Sequence, residues 1–236
     1  MKFWRLLGVL IILVFAIGLA AQTASANILR TGPSELGINS NKAVSSFTGL
    51  SAFARSVQNG LPNQIRGIYV QGVMAFPVVK QPISDAGYVS TASDTITEFQ
   101  LAAQYNSIGM LAHDYLAGAS FSKLQPGTDV VLVYGDGSLK VFRVYEVQQY
   151  QALSPTSPYS KFVDLSDREN FTSDQLFYRT YGLGNSILVL QTCISTPNVP
   201  SWGRMFVLAR PVEPARPDLK DAFSWLEQAL AATTVH

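Results

Sequence analysis

Cysteine is almost missing from this sequence: Cys193 is the only one among 236 residues. A chain with one thiol cannot close an internal disulfide, so Cys193 is buried as a small hydrophobe, paired with another molecule, or free and reactive. Histidine is nearly as scarce, with His113 and the terminal His236 alone. Charged residues make up only 14% against 47% hydrophobic ones, which excludes the low-hydrophobicity, high-charge signature of disorder and leaves material for one substantial core. There is no excess of positive charge, so nothing points to a nucleic-acid partner. Internal repeats and low-complexity tracts are also lacking.

The first residues read "MKFWRLLGVLIILVFAIGLAAQTASAN". Lys2 and Arg5 precede an apolar run from Leu6 to Ala21, and Ala24-Ser25-Ala26 has the small-x-small form of a signal-peptidase site. The run is short of the roughly 20 residues that span a bilayer, while its basic flank suits an uncleaved anchor. Residues 1–26 are therefore expected to be a signal peptide or signal anchor. Of the 17 basic residues, cleavage removes Lys2 and Arg5 and no acid, which leaves fifteen against sixteen acids, a net charge near −1. Export makes the lone thiol more pointed, because nothing inside the chain can pair with it.

Residues 27–46 are polar and aperiodic, as in a spacer, and the domain is expected over 47–236. Leu50, Phe53 and Val57 recur at helical spacing before "NGLPN". From Arg66 the period becomes that of strands, in "GIYVQGVMAFPVV" and "TITEFQLA". "DVVLVYGDGSLKVFRVYEV" predicts a hairpin, with Asp136-Gly137 supplying left-handed turn conformations. "SILVLQT" and "RMFVLAR" predict two more strands. Between them and the hairpin lies a long polar connection in which Ser173 to Phe177 can make one or two helical turns, and long structured insertions are often functional. After Pro217, Asp218 can cap a final helix with Leu219, Ala222, Phe223, Leu226 and Leu230 on one face. The class is mainly β.

Three residues could carry chemistry together. A thiol is mostly protonated at neutral pH, and a neighbouring cation raises its thiolate fraction. A histidine can return a proton to a leaving amine. An arginine remains charged and offers a planar fork of donors to a developing oxyanion. Arg204 follows Cys193 by one loop, so a hairpin could set it beside the thiol. Residue type and spacing alone leave both readings open, since a cysteine ending an apolar strand is more often buried and inert.

A family resemblance weighs on that choice. "LVLQTCIS" followed by "RMFVLARP" resembles the sortase signature, in which a Leu-x-Thr-Cys strand end precedes a catalytic arginine on the next strand. Upstream, His113, Gly118, Phe121, Leu124 and "PGTDVVLVYGDG" follow the same family's order, so the match runs from about Ile68 to Pro211. Val189 stands where the family often has Thr, and Asp114 is not the commonest neighbour of the histidine.

The resemblance implies an eight-stranded β-barrel with short helices and a C-terminal helix, and a cysteine transpeptidase on the outer face of the cell membrane. It implies Cys193 as nucleophile, His113 as proton donor to the leaving amine, and Arg204 as holder of substrate and oxyanion, with Thr192 and Asp114 shaping the cleft. The implied partners are a surface protein bearing a sorting motif and an amine acceptor from cell wall or pilin-like protein. The membrane is a further partner if the N-terminal segment stays attached. No metal or organic cofactor is implied for the chemical step, and calcium dependence is left open. Three rivals stand beside this reading. The first is a sortase-fold hydrolase. The second is an L,D-transpeptidase-like acyltransferase, disfavoured because Thr192 and Ser195 stand where that family has Gly and Arg. The third is a catalytically silent surface module.

Overall fold

The computed structural model describes residues 49–213. The expected export segment 1–26, the spacer 27–46 and the helix expected from Asp218 lie outside the described residues. Helix α1 (Gly49–Val57) lays its periodic face on strand β1 (Ile65–Val70). A Cβ on Gly67 would stand 2.8 Å from the Phe53 ring and 3.1 Å from Val57, so only glycine lets the helix sit this close.

Strands β2 (Met74–Lys80), β3 (Ile96–Phe99) and β4 (Ser107–Leu111) follow, with the one-turn helix α2 (Gln100–Ala103) after β3. The strand-like stretch "TITEFQLA" thus ends as helix, because Gln100-Leu101-Ala102 turns the chain back toward β4. A 3₁₀ helix (Ala117–Lys123) leads to β5 (Asp129–Tyr134), then β6 (Leu139–Ala152), β7 (Phe162–Asp164) and β8 (Asn170–Phe171). Helix α3 (Ser173–Thr180), β9 (Ile187–Thr196) and β10 (Val199–Pro211) complete the order. In the β5–β6 turn only Gly137 has positive φ, at 88°. Asp136 does not share the left-handed conformation expected of it; its carboxylate instead accepts from the N–H and hydroxyl of Ser138.

Eight strands close on themselves in the order β1-β2-β3-β4-β9-β10-β6-β5, and β5 pairs back to β1. The pairs β2–β3 and β4–β9 are parallel and the rest of the ring is antiparallel. The mainly β class and the eight-stranded barrel expected from the sequence are therefore present. Closure removes sheet edges from the ring, while β7 and β8 continue outward from the far end of β6.

Alternation along β9 and β10 sorts their side chains to two cores. Leu188, Leu190, Met205 and Val207 face the barrel interior, and Val189, Cys193, Phe206 and Leu208 belong to a second cluster outside it. Both faces of these strands are covered, which is why they read as continuous apolar runs. The outer cover is the supposedly polar connection: Phe162, Leu176, Phe177 and Tyr181 pack on that face. Helix α3 begins with a capping box, in which the Thr172 hydroxyl accepts from Gln175 N–H and the Gln175 side chain accepts from Thr172 N–H. Each fully buried aromatic or aliphatic side chain contributes about 1.5–3 kcal/mol. The cover is also pinned by polar bonds, since the Tyr181 hydroxyl donates to Gln191 at 2.7 Å and Ser107 donates to the Tyr181 carbonyl at 2.8 Å.

Candidate active site

The hairpin of β9 and β10 places Arg204 directly opposite Cys193. On the other side of β9 the parallel ladder with β4 ends at Leu111 and Gln191, and Ala112 N–H donates to the Gln191 carbonyl at 3.2 Å. Two residues farther along each chain stand His113 and Cys193. Leu111, Cys193 and Phe206 belong to the outer cluster, so alternation puts Cys193 and Arg204 on one outer face of neighbouring strands, while His113 stands in the loop two residues past the end of β4.

Arg204 is fully buried, at 0% exposure. Its Nη1 donates to the carbonyls of Ser201 at 2.9 Å and Gly203 at 2.8 Å, while Nε and Nη2 are buried with no partner among the described residues. Leaving a buried donor unmatched costs about 1–3 kcal/mol, and more on a charged group. The unmatched edge is the one that offers two donors in a fork. The guanidinium is thus fixed on one side and, among the described residues, unpaired on the other, where it is buried.

Cys193 is 4% exposed. Burial pushes its thiol up from the ordinary value; the Arg204 charge and a hydrogen bond from the Ser201 side chain pull it down, and the Asp114 charge pushes it up. Burial also dominates at His113, which is half-buried and pushed below the ordinary imidazole value. A bond to the Val89 backbone and the Asp114 charge oppose that shift without reversing it. At neutral pH both groups are therefore uncharged. Tyr115, 70% exposed, stacks on the His113 ring with centroids 5.2 Å apart.

The loop carrying His113 is tied down from the barrel side. The His113 carbonyl accepts the N–H of Leu116 at 3.0 Å and of Gly118 at 2.9 Å. A Cβ on Gly118 would lie 2.6 Å from that carbonyl and closer still to Thr192 Oγ1. Thr192, expected at the cleft, is buried on the inward face, where its hydroxyl donates to the Ala112 carbonyl at 2.8 Å. It ties the chain just past β4 to β9, one residue before His113 and one before Cys193. Asp114 is half-buried and its charge is felt by both Cys193 and His113. Arg210, the other cation of β10, lies over the Tyr145 ring at 4.1 Å, toward the opposite end of the strand.

Two contributors are not legible as motifs: the Val89 backbone, which orients the imidazole, and Ser201, in a bulge ahead of Arg204. Gly203 in "PSWGR" is a signal for the second, since glycine within a strand marks a bulge or close approach. Among the described residues no group of three or more His, Cys, Asp or Glu side chains could hold a metal ion, and no helix is long and apolar enough to cross a membrane.

No family model matches the sequence, and no curated protein matches it. Among solved structures, sortase E1 from Streptomyces coelicolor, with a tripeptide in its active site, is 19% identical with a TM-score of 0.40; the match covers 68% of this chain and 98% of that one. Sortase A from Listeria monocytogenes is 12% identical with a TM-score of 0.41, over 66% of this chain and 89% of its own. Sortase A from Corynebacterium diphtheriae is 10% identical with a TM-score of 0.45, over 67% of this chain and 65% of its own. These are likenesses of fold at low identity, and any chemistry has to be argued from this chain's own residues. By strand order the chain is a closed eight-stranded barrel, and it is similar in fold to sortases.

Proposed function

We propose that this chain is an exported cysteine acyltransferase of sortase type. The observation that carries the reading is Arg204: a fully buried guanidinium with two nitrogens unpartnered among the described residues, held in register with the only thiol of the chain. In the first step the Cys193 sulfur attacks a peptide carbonyl and its proton passes to His113. The carbonyl π pair moves onto oxygen, where the unpaired Nε and Nη2 of Arg204 receive it. As the tetrahedral centre collapses, the C–N bond breaks and His113 gives its proton to the departing amine. A thioester on Cys193 results. An incoming amine then attacks the thioester, loses a proton to His113, and expels the sulfur, which recovers that proton.

Atoms, protons and electron pairs balance among Cys193, His113, donor and acceptor, so the cycle calls for no metal or organic cofactor. The donor is a surface protein with a Thr–Gly-type bond in a sorting motif, and the acceptor is an amine from cell wall or a pilin-like protein. Residues 1–26 would bring the domain to the outer face of the membrane. The neutral resting state supports the reading, because a thiol that ionises only when substrate arrives is protected from idle oxidation.

Incubation with a sorting-motif peptide followed by intact mass spectrometry tests the proposal. Wild type is expected to gain the acyl mass with loss of the amine fragment, and Cys193→Ala to gain none. An adduct that persists in Cys193→Ala removes the nucleophile. A specific observation favours the silent module instead, namely the 4% exposure of Cys193. Absence of any adduct, together with a thiol inert to alkylation in the folded chain, decides for it. Release of free acid in place of amide identifies the hydrolase.

A further inference from the structure

Ser201 occupies a backbone position that serine rarely takes. Its φ is 57°, in the left-handed region that disfavours side chains other than Gly, Asn and Asp. It sits where the β9–β10 register slips, between the pairs Val199 with Thr196 and Gly203 with Ile194. Such bulges re-aim side chains and are common beside functional sites.

Every polar group of Ser201 is engaged with the candidate site or its flank. The N–H donates to Ser195 Oγ at 3.2 Å, across the hairpin. The carbonyl accepts from Arg204 Nη1 at 2.9 Å. The hydroxyl acts on Cys193, pulling its thiol down. Gly203 lets this happen, because a Cβ there would stand 2.4 Å from the Tyr150 carbonyl on β6. A regular strand would turn the Ser201 carbonyl away from the guanidinium, so the left-handed residue is what directs it there.

We propose that Ser201 is a positioning residue, whose bulged backbone anchors Nη1 of Arg204 so that the buried Nε and Nη2 stay unpaired on the side of the thiol, and whose hydroxyl holds the Cys193 sulfur toward that edge. This role rests on the acyltransferase reading for its purpose, but not for its test. Among the described residues, the charged groups that act on the sulfur are Arg204 on β10 and Asp114 on the loop after β4. A change confined to the Ser201 hydroxyl must act against that fixed background.

With one cysteine in the chain, the ultraviolet absorbance of the thiolate, referenced to Cys193→Ala, titrates Cys193 directly in the full-length protein. Ser201→Gly keeps the left-handed backbone and removes the side chain with its hydroxyl. It is expected to move the thiolate midpoint upward, and to slow acylation by a sorting-motif peptide about tenfold with KM little changed, as suits loss of one hydrogen bond to a charged group. Ser201→Asn tolerates the same φ and restores a donor, and is expected to bring the midpoint back toward wild type. Ser201→Val opposes the left-handed backbone, releases Arg204, and is expected to raise KM as well as lower kcat. A thiolate midpoint unmoved in Ser201→Gly overturns the proposal even if wild type turns over peptide. A moved midpoint in a protein that never acylates upholds the positioning role and rejects the acyltransferase instead.

Discussion

Arg204 lies across the β9–β10 register from Cys193 and across the β10–β6 register from Tyr150, so it occupies the middle of three hydrogen-bonded strands. Both neighbouring ladders fix its backbone, and two carbonyls fix one of its nitrogens. What is left free is the Nε and Nη2 edge. Among the described residues Arg204 has no ion-pair partner, and a buried cation without a counter-charge is a stability burden.

Arg204 should therefore show opposite effects on stability and chemistry. Arg204→Met fills much the same volume without charge or unmatched donors, and is expected to raise the urea midpoint. The same change should lower thioester formation by about 10²–10³, the usual loss for one oxyanion donor. Arg204→Lys keeps the charge but not the fork and should be impaired as well. Urea melts and single-turnover mass spectrometry on the same preparations check both halves, and an Arg204→Met that is both less stable and fully active would contradict the account.

Ionisation gives a second test. The His113 imidazole titrates below its ordinary range, so the unfolded chain binds more protons as pH falls, and this contribution to stability is present above the ordinary imidazole range and lost as pH drops through the folded value. The Cys193 thiol titrates above its ordinary range, so its contribution is present below that range and lost as pH rises through the folded value. Stability from this pair should be flat between the two and fall on both sides. Comparing urea midpoints across pH, Cys193→Ala is expected to flatten the alkaline limb and His113→Gln the acid limb. Identical limbs in all three proteins would show that neither group is shifted by folding.

Asp114 separates charge from packing. Its carboxylate raises both the Cys193 thiol and the His113 imidazole. Asp114→Asn keeps shape and removes charge, so both midpoints should move down together, the thiol by absorbance and the imidazole by NMR. A thiol that moves up would mean that the carboxylate acts through a bond to a cation and not through repulsion.

Much of this arrangement could be read from residues. The β5–β6 hairpin, β9, β10 and α1 follow from periodicity and turn chemistry, and Cys193 with Arg204 follows from one apolar strand, one loop and another. The pairs that close the ring, β10 with β6 and β4 with β9, join residues far apart in sequence, and no local pattern encodes them. β7 and β8 are too short for alternation to register inside a polar stretch. Thr192 adjoins Cys193 in sequence, yet one residue along a strand reverses the face, and its hydroxyl bonds the Ala112 carbonyl. Asp136 beside Gly137 satisfies the left-handed expectation by type, but its carboxylate is used to bind Ser138 instead.

The final prediction concerns how the histidine's position is held from inside the barrel. A methyl group at Gly118 would meet the His113 carbonyl oxygen at 2.6 Å and crowd the Thr192 hydroxyl. The carbonyl is already bonded by Leu116 and Gly118 N–H, so it cannot yield without moving the loop. Gly118→Ala is expected to cost about 1–3 kcal/mol as overpacking and to slow acylation by displacing His113. Thr192→Ala removes the hydroxyl bond to Ala112, worth about 1 kcal/mol, and also removes the atom that the new methyl would strike. The double variant should therefore cost less than the sum of the singles, because the two changes share one contact. Urea unfolding of the four proteins measures that coupling. Additive losses would mean that the clash is with the His113 and Ala112 carbonyls and not with the Thr192 hydroxyl, and the Thr192 clip would then play no part in holding the His113 loop.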